Sequence, residues 1–87
     1  DLDNLKISPN PCTVDEGWIS FDIYDQSDVT ISMSNLLGVS IGSKKMNLFN
    51  GLHNFKISDL FSVPGKGTYV LVVEGPKFRH SKIVIIY

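Results

Sequence analysis

Few residues in this chain have side chains suited to catalysis or metal binding. They are Cys12, His53 and His80, and a group of acids, Asp22, Asp25 and Asp28. A thiol and two imidazoles are ligand types that zinc takes, but zinc sites draw them in closely spaced pairs, and here they are scattered. His53 reads as a strand residue on a half-buried face, and His80, between Arg79 and Ser81, as a solvated side chain. A nucleophilic cysteine needs a base and a cationic setting to hold its thiolate. Nothing beside Cys12 supplies them, so it reads as a partly buried structural thiol. The three aspartates gather around one turn, and carboxylates suit a hard cation such as calcium. Their spacing is not that of a calcium loop, and they read as solvated turn acids. The glycines fall singly at turns, so no phosphate-cradling loop is formed. The expectation is a non-catalytic protein with no metal or cofactor.

The elements that would position any site are strands. Short apolar runs alternate with turn residues at the spacing of an all-β sandwich or barrel. Leu5-Lys6-Ile7 is a brief first strand, stopped by Ser8-Pro9-Asn10-Pro11, where two prolines fix φ and remove two donors. Trp18–Tyr24 alternates, with Ile19, Phe21 and Ile23 on one face. Val29–Ser34 does the same with Val29, Ile31 and Met33. Asn35-Leu36-Leu37-Gly38 is a tight reversal in which Gly38 takes positive φ. Val39–Lys44 returns as a weaker strand, and Ser43–Asn47 reads as the most exposed loop. Gly51–Ile57 is another strand, and Ser58–Ser62 one helical turn capped by Ser58 or Asp59. Thr68–Glu74 and Phe78–Tyr87 form a hairpin across Gly75-Pro76-Lys77. About seven strands with no internal repeat and no dividing linker predict one Ig-like antiparallel β-sandwich. Residues 5–87 are its domain and residues 1–4 a linker remnant.

The bulk numbers agree. With 87 residues the chain is one small domain, and 43% hydrophobic with 20% charged residues is ordinary globular composition. The net charge of −1 lacks the basic stripe that nucleic acid demands. One cysteine permits no disulfide within the chain. No apolar stretch is long enough to span a membrane. The chain begins at Asp1 rather than Met, which reads as a piece of a longer protein.

Three local patterns occur in a definite order. Ile7-Ser8-Pro9-Asn10-Pro11 comes first, Gly67-Thr68-Tyr69 leads into an apolar strand, and Lys82-Ile83-Val84-Ile85-Ile86 ends the chain but for Tyr87. Taken in order, with the Asn35-Leu36-Leu37-Gly38 hairpin between, they resemble the C-terminal sorting domain of the type IX (Por) secretion system. That family has an Ile-x-Pro-Asn-Pro segment, an Asn-x-x-Gly hairpin, Gly-x-Tyr and a lysine-led apolar end. The resemblance runs from Leu5 to Ile86; Cys12 and the added Tyr87 depart from the pattern.

The resemblance implies a signal rather than a catalyst. Its motif residues here are Pro9, Asn10, Pro11, Gly67, Tyr69, Lys82, Ile83, Val84, Ile85 and Ile86. It implies an N-terminal cargo on the same polypeptide, recognition by the type IX translocon and an outer-membrane shuttle protein, and cleavage by a sortase-type peptidase. The route implied is periplasm in transit, then cell surface or secretion from a Gram-negative bacterium.

The residues themselves add that the last two strands are apolar on both faces. Tyr69, Leu71 and Val73 can fill the core, which sends Val70 and Val72 outward. In the final strand Ile83 and Ile85 oppose Val84 and Ile86, and alternation does not say which pair is inside. The outward set is covered by loops, by a second copy in a homodimer or by the rest of the parent protein, or else it is a docking surface. The rival reading is an Ig-like adhesion or spacer module. A ligand groove would cluster aromatic and polar groups, whereas Trp18, Tyr24 and Tyr69 are dispersed and read as core.

Overall fold

Ile19, Phe21, Ile23, Val29, Ile31 and Met33 all lie in the hydrophobic core, as alternation along two strands requires. The computed structural model describes residues 2–87. In chain order the elements are β1 (Leu2–Ser8), β2 (Trp18–Ile23), β3 (Ser27–Asn35), β4 (Ser40–Leu48), β5 (Gly51–Lys56), the single turn α1 (Ile57–Leu60), β6 (Gly67–Gly75) and β7 (Phe78–Ile86). They form two antiparallel sheets, ordered β1-β2-β5 and β4-β3-β6-β7. This is the expected all-β, Ig-like sandwich, its core closed between the inward rows of the two sheets. Among the described residues no helix is long and apolar enough to cross a membrane.

β1 departs from expectation. It starts at Leu2, not Leu5, so Leu2–Asn4, read as linker, are strand; Asp1 lies outside the described residues. Leu2 and Ile7 both reach the core, although an odd spacing should send them to opposite faces. A register shift against β2 between Asp3 and Lys6 supplies the extra residue. Asn4 absorbs it at φ +58°, a left-handed conformation that asparagine tolerates.

Other corrections follow from position in the sheet. Ser43–Asn47 is not a loop but part of β4. β4 ends its sheet, and lysines and polar residues are what an exposed edge carries to discourage pairing. Trp18 and Tyr24, read as core, are 45% and 59% exposed. Trp18 shares its face of β2 with Ser20 and Asp22, opposite the buried isoleucines. α1 begins at Ile57 after an extended Lys56, with no side-chain cap from Ser58 or Asp59. The reversal after β3 is as expected: Gly38 has φ +85°, and Asn35 Oδ1 accepts from the N–H groups of Leu37 (2.9 Å) and Val39 (3.0 Å).

Candidate functional site

β6 and β7 form a hairpin whose turn is Pro76-Lys77, between the paired Gly75 and Phe78. The register settles the faces of the last strand. Val84 lies opposite Tyr69 and Ile86 opposite Gly67, and Val84 and Ile86 are buried. Ile83 and Ile85 therefore face outward, 49% and 42% exposed. Ile83 pairs with Val70, Ile85 with Thr68 and Ser81 with Val72. Farther across the sheet Val70 and Val72 meet Ser34 and Ser32 of β3, which in turn meet Ser40 and Ser43 of β4. The outer face thus carries an aliphatic strip of Ile83 and Ile85 from β7 with Val70 and the buried Val72 from β6, bordered by Thr68, Ser81 and the serines of β3 and β4. Lys82 is exposed, opposite Leu71 in the register.

β7 is the last strand of its sheet, so among the described residues one of its edges has no neighbouring strand in that sheet. Residues 10–12 lie along that edge. Asn10 Nδ2 donates to the Ile83 carbonyl (2.8 Å), and the Ile85 N–H donates to Asn10 Oδ1 (3.1 Å). The Cys12 N–H donates to the Ile85 carbonyl (2.9 Å), and the Tyr87 N–H to the Cys12 carbonyl (3.1 Å). Cys12 and Ile86 form a parallel bridge. Pro9 and Pro11 are exposed, and the peptide bonds preceding both are cis.

The segments singled out in the sequence thus meet on one strand. Pro9-Asn10-Pro11 lies along the free edge of β7, and Gly67 and Tyr69 lie across from its end. Pro9, Asn10, Pro11, Gly67, Lys82, Ile83 and Ile85 are open to solvent, whereas Tyr69, Val84 and Ile86 are buried. The Tyr69 hydroxyl donates to the Gly65 carbonyl (2.7 Å), holding the turn that leads into β6.

Cys12 is fully buried rather than partly so. Burial, and secondarily the Glu16 carboxylate, push its thiol up from the ordinary value of 9.0, the opposite of what a nucleophile needs. A Cβ on Gly17 would stand 2.7 Å from Ile57 Cδ1 and 2.8 Å from Cys12 Sγ. Only a glycine fits between thiol and isoleucine without displacement. Sequence reasoning missed this contact and the bonds of Asn10. Both join residues far apart in the chain, and no local pattern signals them.

The other chemistry-bearing residues do not assemble. Among the described residues no group of three or more His, Cys, Asp or Glu is placed to hold a metal. His53 stacks on Phe55 with ring centroids 6.2 Å apart, and its Nε2 lies 2.7 Å from the Phe49 carbonyl. A carbonyl only accepts, so that nitrogen carries the proton. His80 is half-buried rather than solvated, its ring 6.2 Å from that of Phe78. Asp22 and Asp28 accept from Asn4 (3.3 Å) and Asn47 (2.9 Å). The Tyr24 hydroxyl donates to Asp3 (2.9 Å), and that bond pushes the phenol up. A surface groove of about 500 Å³ lined by Asp25, Asp28, Asn47 and Lys77 lies at the opposite end of the sheet from Ile83–Tyr87.

Comparison with known proteins found no matching family model, no matching curated protein and no matching solved structure.

Proposed function

We propose that this domain is a non-catalytic sorting signal of the type IX kind, read on the outward side of its terminal hairpin. One observation carries the reading. The three ordered patterns of the resemblance converge on Ile83–Ile86, through the Asn10 bonds on one side and the Gly67 and Tyr69 pairings on the other, whereas the Asn35–Gly38 reversal lies between β3 and β4. The exposed pair Ile83 and Ile85 beside Val70 supports it further. Withdrawing one such side chain from water is worth roughly 1.5–3 kcal/mol, so this strip gains by being covered. On this reading the cargo precedes the domain and the translocon and shuttle protein bind it. The cargo passes from periplasm to cell surface or medium, and a sortase-type peptidase cuts upstream of the domain at the surface.

The test is a reporter with an ordinary export signal, fused ahead of this chain and expressed in a bacterium that has the type IX machinery. The unaltered fusion is expected to reach the surface or medium. Deletion of residues 83–87, or Ile83→Ser with Ile85→Ser, is expected to leave it in the periplasm. Export of the Ile83→Ser, Ile85→Ser fusion at the unaltered level would sink the reading of the outward strip, and export of the deleted fusion as well would leave the Ig-like adhesion or spacer module as the reading.

A further inference from the structure

In a parallel ladder, a residue facing position j donates its N–H to the carbonyl of j−1 and accepts from the N–H of j+1. Cys12 does this about Ile86, with bonds to Ile85 and Tyr87. Continued one step up, such a ladder would set residue 10 against Val84, and its backbone would bond the Ile83 carbonyl and the Ile85 N–H. Those two groups are bonded, but by the side chain of Asn10: Nδ2 to the Ile83 carbonyl and Oδ1 to the Ile85 N–H. The carboxamide occupies the place of a peptide group. It is the side-chain chemistry that can do so, because it holds one planar donor and one acceptor together. Aspartate lacks the donor, and the longer glutamine carries its amide one methylene too far.

We infer that Asn10 is a positioning residue, its carboxamide standing in for a missing strand along the free edge of β7 and holding Ile83–Tyr87 in the path that turns Ile83 and Ile85 outward. Open edges invite pairing with other chains, and along Ile83–Tyr87 the side chain of Asn10 and the backbone of Cys12 occupy this edge. The role itself stands on the geometry of β7; its consequence for export rests on the sorting reading.

The experiment is amide hydrogen exchange on Asn10→Ala. The Ile85 N–H bonds to Asn10, whereas the intervening residues Val84 and Ile86 pair with β6 on the other edge. Ile85 is expected to exchange about tenfold faster while Val84 and Ile86 hold. Asn10→Ser, too short to reach both groups, is the second variant and gives the same local change. Asn54→Ala, an exposed asparagine of β5, leaves Ile85 unchanged. An unaltered rate at Ile85, or an equal acceleration at all three residues, overturns the inference. Export of Asn10→Ala fusions is measured beside the unaltered fusion. If the unaltered fusion is not exported, the sorting reading fails, while exchange still decides the role of Asn10.

Discussion

Ile85 and Ile86 are neighbours of the same type, and the structure assigns them opposite roles. Ile86 is 3% exposed and Ile85 42%. Truncating a buried isoleucine to alanine costs about 2–5 kcal/mol, from lost transfer energy and the cavity left behind. At about 4–8 °C per kcal/mol for a domain of this size, Ile86→Ala lowers Tm by at least about 8 °C. Total stability at this length is about 4–13 kcal/mol, so that single change removes a large share of it. Ile85→Ala loses part of a solvent-facing contact and some strand propensity, about 1 kcal/mol or less. The assay is thermal and urea unfolding of both variants followed by far-UV circular dichroism, with the urea slope checked for constancy. Equal losses, or a larger loss for Ile85→Ala, would mean that β7 sits one residue out of this register. A slip of that size exchanges every inward and outward side chain.

Three further outcomes test the seam between Cys12 and its neighbours. Gly17→Ala places a methyl group against Ile57 and Cys12 and costs about 1–3 kcal/mol in chemical denaturation. Adding Cys12→Ala removes one of the two opposing atoms, so strictly additive losses would contradict the contact. Cys12 itself, fully buried and with its thiol raised, reacts with a disulfide reagent far more slowly in the native chain than in urea; equal rates would refute its burial. Because the folded thiol holds its proton more tightly than the unfolded one, its contribution to stability is complete below pH 9.0 and declines as pH rises beyond it. Cys12→Ala should lose that share of the alkaline decline, measured as Tm against pH, while the share from the raised Tyr24 phenol remains.

Alternation made β2 and β3 legible, because each has one apolar and one polar face. It failed where that contrast is missing or broken. In β7 both faces are apolar, so only the pairing of Val84 with Tyr69 and Ile86 with Gly67 decides the inward set. In β1 the bulge at Asn4 shifts the period midway, hiding Leu2 from a search for regular spacing. In β4 the polarity that marks an edge strand looks the same in sequence as that of a loop. The motif residues could be picked out singly, but their meeting on β7 depends on bonds from Asn10 to Ile83 and Ile85 that span almost the whole chain.

That closure bears on how the tail should be tested. Removing residues 83–87 takes Val84 and Ile86 out of the core and strips Asn10 and Cys12 of their bonded groups on β7. The deleted domain therefore loses stability as well as any surface a partner reads, and trapped cargo could follow from unfolding alone. Ile83→Ser with Ile85→Ser leaves the inward pair, the ladder to β6 and the backbone groups bonded by Asn10 in place. It changes only the outward strip. If export falls with this double variant while the domain still unfolds cooperatively well above the temperature of the export assay, the surface of the hairpin is what is recognised. If export survives the outward substitutions and fails only on deletion, the machinery requires a folded sandwich and does not read this strip.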